Sequence, residues 1–397
     1  MPDNTSARLP RLRLWLVGAA AQRAAWILWL LVFVGGSIRA IVNPAGVTRV
    51  YRESGSLWLA GEPLYADGIH GFLYLPHSSI LSQPLLWGNF YFTEVLWRLG
   101  GVGLFAWGVH RLCRLVARYT GVELFALVTF VGIWPMLGCA GNGQASLHMT
   151  ACMMWATIAC AERRWWTATL ALMLAVAWKP LAVVLILLLG AVYWRTMAWR
   201  LLVGSCGLFA APFLLQSAAY VWRQYELAVT KMTVSGTADA SKFVASDLSG
   251  MLSYFGVPTE PHQLLPVRAA AALVTAVLAL VARRRWPEPL AAVWVFVLAT
   301  GYLMIFNPRN ESNTYAVVAP ALALVFALEF LVERRRAALL FVVLFAQATC
   351  NMYRPLLPGV QYWLKPATVL VFLVYVAWRI CRSSPSTLAV PAVHRAS

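Results

Sequence analysis

The chain has 397 residues, 61% of them hydrophobic and only 12% charged, where soluble domains carry roughly 25% charge. Apolar runs recur from residue 24 to residue 380, which excludes a soluble globular domain, and the short alternating strands of a transmembrane barrel are missing. A net charge of +17 suits nucleic acid in a soluble chain, but in one this apolar it points to basic loops on the cytoplasmic face of a membrane, so no nucleic-acid partner is expected.

In chain order, Arg8, Arg11, Arg13 and Arg23 come before or at the start of the first apolar run. No small-residue cleavage site follows that run, so a retained helix is expected and not a signal peptide. The pattern predicts an all-α, polytopic integral membrane protein with about 12 transmembrane helices and a single domain over 1–397. The segments fall at 24–41, 90–112, 122–139, 145–161, 166–178, 181–194, 200–217, 267–282, 290–306, 315–332, 337–352 and 367–381. One side receives the N-terminus, Arg111/Arg114/Arg118, Arg163/Arg164, Arg195/Arg200, Arg283–Arg285, Arg334–Arg336 and Arg379/Arg382. The positive-inside rule makes that side cytoplasmic, with both termini inside.

The stretch "WWTATLALMLAVAWKPLAVVLILLLGAVYW" admits two readings. It is one long helix with Lys179 buried in it, or two short helices turning at Lys179-Pro180. A single crossing puts Arg195, Arg200 and both later triple-arginine clusters outside. Two crossings keep them inside and are expected here, although each helix is short for a bilayer that needs about 20 residues.

Two outer gaps are long, 42–89 and 218–266, and a third is the short "NPRNESN". Long loops inside a compact chain are functional or disordered, and these are not low-complexity. The first holds Trp58, Tyr65, Phe72, Tyr74 and Trp87, and should carry short helices. The second opens with "YVWRQYELAV", which suits an amphipathic helix in the interface. The chemistry is therefore expected on the outer side.

The candidate residues lie in and beside these gaps. In "RVYRESGSLWLAGEPLY", Glu53 shares a face with Arg49 if residues 49–60 are helical. It is then a general base at the water–lipid boundary, or half of a surface salt bridge. "LYLPHSSILSQPLL" reads as an extended lead-in to a helix, with Pro76 and Pro84 as breakers. In "PMLGCAGNGQASL", Asn142 and Gln144 sit among glycines that permit positive φ. They orient a sugar, or they only make a turn. Lys179 near hydrocarbon points to an anionic phosphate partner, or to snorkelling. In "FNPRNESNTYAVVAP", Arg309 suits a bidentate phosphate contact, and Asn313 suits capping of the next helix. Glu94 and Arg98, four apart in the second span, are expected to pair. The seven cysteines lie mostly in apolar runs without a Cys-x-x-Cys, and the six histidines show no i,i+4 spacing. No Asp-x-Asp pair occurs. Neither a metal nor another cofactor is expected.

Taken in order, these motifs resemble glycosyltransferase family 87, whose members are integral membrane enzymes of the GT-C superfamily. They include polyprenol-phosphate-mannose-dependent mannosyltransferases. "VYRESGSLWLAGEPLY" followed by "GFLYLPHSSILSQPL" is similar to the family's first loop. "GNGQASL" is similar to its Gly-x-Gln turn, "AVAWKPLAVVLILL" to its lysine-containing pair of short helices, and "NPRNESNTYAVVAPALA" to its late outer loop. The resemblance covers most of the chain. It implies a GT-C-like fold, an active site on the periplasmic side of a bacterial inner membrane, a lipid-phosphate sugar donor and inversion at the anomeric carbon. In one respect the chain departs from the family pattern. An acid shortly before "VY" is regarded as the family's base, and this chain has Ala45, Gly46, Val47, Thr48 and Arg49 there.

The expected function is transfer of a sugar, mannose or a related hexose or pentose, from a polyprenyl-phosphate donor to a lipid or glycan acceptor. Glu53, the acid nearest the family position, serves as base. Lys179 and Arg309 hold the phosphate. Asn142, Gln144, Asn310, Asn313 and Tyr315 orient sugars, with Glu311 as the competing carboxylate. Tyr51, Arg52, Tyr65 and Tyr74 shape the pocket among membrane lipids. A lipid-linked-sugar flippase and a non-catalytic lipid-binding subunit remain the alternatives.

Overall fold

The computed structural model describes residues 5–43, 46–68, 70–236, 245–257, 259–260, 262–333 and 336–382. The outermost residues of both chain ends, assigned above to the cytoplasm, lie outside the described residues, as do Arg334 and Arg335. All regular structure among the described residues is helical. The chain opens with α1 (Thr5–Val17) and α2 (Ala19–Val42), followed by the amphipathic α3 (Thr48–Ala60). A glycine at the left-handed position, Gly61 with φ +69°, ends α3 and donates its N–H to the last turn. Short α4 (Pro76–Leu81) precedes the long α5 (Phe90–Thr120), which Asn89 caps by accepting the Phe92 N–H at 2.9 Å. The stretch over Pro76 and Pro84 differs from the extended lead-in expected of it. Pro76 starts α4 and Pro84 falls in a 3₁₀ turn at Gln83–Leu86. A proline interrupts a helix interior but fits its first turn, where the missing N–H has no partner to lose.

Next come α6 (Phe125–Gly132), α7 (Leu137–Asn142), α8 (Ser146–Ala161), α9 (Trp165–Trp178), α10 (Val183–Val192) and α11 (Trp194–Ala210). The second long gap supplies α12 (Ala218–Gly236) and α13 (Leu248–Tyr254). The rest is α14 (Leu265–Arg285), α15 (Glu288–Phe306), α16 (Ala319–Leu328), α17 (Ala337–Thr349) and α18 (Val360–Arg382).

Together these make a helical membrane protein, but length and composition do not support twelve crossings. Among the described residues five helices are long and apolar enough to span: Ala19–Val42, Trp194–Leu214, Leu265–Arg285, Glu288–Phe306 and Val360–Arg382. A sixth is the pair Phe125–Gly132 and Trp134–Asn142, if its 47° bend lies within one span. Four more apolar helices are shorter, among them Ser146–Ala161 and Trp165–Trp178. The apolar runs overcounted because an apolar stretch signals an apolar environment, and protein supplies that as well as lipid does. Along α15, 83% of the span is buried inside the protein, against 17% for α14. Helix α15 packs against α8, α10, α14 and α18. Peripheral α14 exposes Leu273, Val274 and Val277, as α2 exposes Ile27, Leu30 and Leu31. The expected pair in α5 forms: Arg98 donates to Glu94, both are buried, and Arg98 Nη2 also reaches the Gly141 carbonyl at 3.2 Å.

Candidate active site

A cavity of about 370 Å³ opens where the segment before α4, the break between α9 and α10, α12 and the turn after α15 converge. Its volume lies in the range of small-molecule sites. Tyr74, Lys179, Arg309, Asn310 and Glu311 line its polar side, and Leu181, Val184, Met232 and Leu303 line the apolar side.

Lys179 arrives through a helix break. Pro180 cannot continue the α9 ladder, and the residue before a proline is pushed into extended backbone. Lys179 accordingly has φ −151° and ψ 131°, between the end of α9 and a 3₁₀ turn at Pro180–Ala182. Its ammonium lies 5.3 Å from the centre of the Tyr74 ring, and the side chain is only 7% exposed. Among the described residues no carboxylate forms an ion pair with it.

The turn after α15 supplies the other charges. Asn310 is buried and spends its amide on the Leu303 and Met304 carbonyls, at 2.7 and 3.1 Å, closing the end of α15. Its carboxamide oxygen accepts from Asn307 at 3.1 Å. Arg309 sits at φ +65°, unusual for a side chain with a Cβ. Its backbone N–H donates to Asp247 at 2.7 Å, and its Nη1 reaches the Ser235 carbonyl at 3.2 Å. Burial lowers the pKa of this guanidinium, while the nearby Glu311 raises it. Glu311 is exposed to the cavity and accepts from Gln144 Nε2 at 2.9 Å. Gln144 is presented by the glycine turn after α7, where Gly143 has φ +66°. The Gln144 Oε1 is buried without a partner.

Behind the cavity stands a wall of phenols. Tyr51 OH accepts the Ala145 N–H at 3.1 Å and donates to Tyr74 OH at 3.3 Å. Tyr65 OH donates to the Tyr74 carbonyl at 2.7 Å. Burial raises the Tyr51 pKa, and the adjacent Tyr74 adds to the effect. Burial likewise raises that of Tyr65.

The structure thus gathers Tyr74, Lys179, Arg309, Asn310 and Glu311 on one cavity, with Gln144 touching Glu311. It separates the others. Residues 48–60 are helical as required, but Glu53 points to the exposed face of α3, is not among the cavity-lining residues and forms no ion pair with Arg49. The Arg49 guanidinium packs over Phe90 instead, 5.5 Å from the ring centre. Arg52 turns sideways and binds the Leu85 and Gly88 carbonyls and the Thr93 hydroxyl. Tyr65 and Tyr51 back Tyr74 and do not line the cavity. Asn142 meets Val47 N–H through its backbone carbonyl at 3.1 Å. Asn313 caps no helix. It falls within the 3₁₀ turn Ser312–Val317, against Gly138, where an added Cβ would lie 2.4 Å from its Oδ1. Tyr315 is fully buried, with its hydroxyl spent on the Ser246 and Met304 carbonyls at 2.8 and 3.2 Å.

Three residues went unnoticed in the sequence. Asp247 holds the Arg309 turn. Lys231 ties α12 to the first gap by donating to the Ala66 and Gly68 carbonyls, at 2.6 and 2.7 Å. Burial, then Arg309, lowers the Lys231 pKa. Lys365 binds the Ser312 carbonyl at 2.9 Å. Only Asp247 left a signal, as a helix-capping residue in "ASDLSG".

Two cations and one carboxylate around a half-apolar cavity can hold an anionic lipid head and accept a proton beside it. A model of glycosyltransferase family 87 matches residues 72–308, more than half of the chain and most of the cavity lining. No curated protein matches the chain.

Proposed function

The chain belongs to glycosyltransferase family 87 and is a membrane glycosyltransferase, and from that premise we propose that it moves a sugar from a polyprenyl-phosphate donor to a lipid or glycan acceptor in the cavity beside Lys179. Lys179 and Arg309 hold the donor phosphate. The bond from the anomeric carbon to the phosphate oxygen breaks, and both cations stabilise the charge that grows on the departing polyprenyl phosphate. The acceptor hydroxyl oxygen forms the new bond to that carbon, and its proton passes to Glu311, which Gln144 orients. Glu311 takes the role that the sequence suggested for Glu53, because it shares the cavity with both cations and Glu53 does not. The apolar wall of Leu181, Val184, Met232 and Leu303 suits the lipid end of the donor. No step requires a metal, because the leaving group is already a phosphate ester.

The observation that carries this reading is the meeting of Lys179, Arg309 and Glu311 in one cavity from positions 130 or more residues apart in two of the three pairs. Purified protein in nanodiscs with labelled polyprenyl-phosphate sugar tests it. Transfer of label to an acceptor supports it; label that crosses the bilayer or stays bound without transfer refutes it. We further propose a bacterial inner membrane, cytoplasmic termini and a periplasmic cavity. Cysteines placed at Ser56 and Ser312 should then both react with an impermeant thiol reagent in intact cells, above the background of exposed Cys206 and Cys381. Labelling at one and protection at the other would contradict that orientation.

A further inference from the structure

The turn that carries Arg309 and Glu311 is held by a carboxylate 62 residues earlier in the chain. Asp247 is fully buried and has four donors. Its two oxygens divide the work. Oδ1 caps α13, accepting Gly250 N–H at 3.1 Å and Ser249 Oγ at 2.6 Å. Oδ2 accepts the successive N–H groups of Arg309 at 2.7 Å and Asn310 at 3.4 Å. The neighbouring Ser246 adds a backbone bond to the Asn310 carbonyl at 2.7 Å.

Successive N–H groups beside a left-handed residue form a concavity that attracts an anion. Here the chain fills it with its own carboxylate. A non-glycine residue at φ +65° persists only where its surroundings fix it. Without Asp247, both N–H groups lose their acceptor inside the protein, and the left-handed backbone loses the two bonds made by its own N–H groups, keeping those of the Asn310 carbonyl and of the Arg309 and Asn310 side chains. Arg309 and Glu311 share that turn, so both would leave the cavity wall together.

We propose that Asp247 is a positioning residue: it fixes the Arg309–Glu311 turn in the form that lines the cavity, and through Arg309 it sets how tightly a lipid phosphate is held. The second half rests on the function proposed above. The first half stands on the hydrogen bonds alone.

Asp247→Ser separates the two oxygens. Serine caps a helix about as well as aspartate, so α13 keeps its cap, but one hydroxyl cannot also reach the turn. Hydrogen exchange should speed about tenfold or more in peptides covering 307–311 and stay unchanged over 248–254. Affinity for polyprenyl monophosphate in nanodiscs should fall roughly tenfold. Adding Asp247→Ser to Arg309→Ala should cost little more affinity than Arg309→Ala alone, because Asp247 acts through that side chain. Ser249→Ala, which loses only a capping bond, should leave both readouts near wild type.

Unchanged exchange over 307–311 overturns the proposal. So does a double variant whose loss is the product of the single losses, since that marks general destabilisation. If Asp247→Ser does not fold, Asp247→Asn is read by the same two criteria. A wild-type protein that binds no polyprenyl phosphate refutes the proposed function, while the exchange result still decides whether Asp247 fixes the turn.

Discussion

Helix α3 and the turn at 307–311 carry similar residues, arginine and glutamate within a few positions, and put them to opposite uses. In α3 the helical period spreads side chains around a cylinder. Tyr51 faces inward, Arg52 reaches sideways to the Leu85 and Gly88 carbonyls, and Glu53 faces out. In the turn, bonds from Asp247 and Gln144 hold the backbone of Arg309 and the carboxylate of Glu311 at one cavity. Composition is thus a poor guide to which polar segment forms a site. What matters is whether distant residues converge on it.

Four tests, by substitution, break or sharpen this contrast. The largest effect is expected at Glu311. Glu311→Gln should lower turnover by roughly 10²–10⁴-fold while the donor still binds, because the amide cannot take the proton. Single-turnover assays beside equilibrium binding measure it. Full activity in this variant, with loss in Glu53→Gln, would reverse the contrast and return the base to α3.

Next come the cations. Arg309→Ala and Lys179→Ala should each weaken polyprenyl-phosphate binding roughly 10–100-fold, the usual cost of losing a hydrogen bond to a charged group. Arg309→Lys should recover only part, since an ammonium lacks the two-pronged geometry. Wild-type affinity in both alanine variants would remove the phosphate clamp.

The third change tests α3 as scaffold. Tyr51→Phe removes the acceptor of the buried Ala145 N–H and should destabilise the protein by about 1–3 kcal/mol. Unfolding in detergent would show this, and an unchanged midpoint would mean the phenol is not needed as support. The smallest effect is expected at Glu53: Glu53→Gln should leave turnover within about twofold, as exposed substitutions do away from specific contacts.

Much of the architecture was readable from the chain. The helical membrane class followed from the apolar runs. The break at Lys179-Pro180 and the Glu94–Arg98 pair followed from local rules that need no tertiary contacts, whereas a helix over 49–60 was only a condition on the role of Glu53, and the structure supplies it. The crossing number did not follow, because α15 and α14 are similarly apolar in sequence and only packing makes one buried and the other peripheral. Within the candidate site, Lys179, Arg309 and Glu311 stood out as charges beside apolar runs. Asn313 was expected to cap a helix and Tyr315 to face a sugar, whereas Asn313 lies within a 3₁₀ turn and the Tyr315 hydroxyl meets backbone carbonyls, because a polar group in a turn looks the same in sequence whether it faces a ligand or a backbone carbonyl. Asp247 was missed because its partners lie 62 and 63 residues away.

The Glu94–Arg98 pair has a consequence for how the chain is made. The two residues lie four apart on one helix, so they meet as soon as α5 coils, whichever helices were synthesised before it. The pair is therefore already neutral when packing buries it, and the cost of burying an ion is reduced before any neighbour arrives. The bond from Arg98 to the Gly141 carbonyl can form only later, once the next hairpin exists. Neutralisation of the pair within α5 is in this way uncoupled from assembly of the bundle around it.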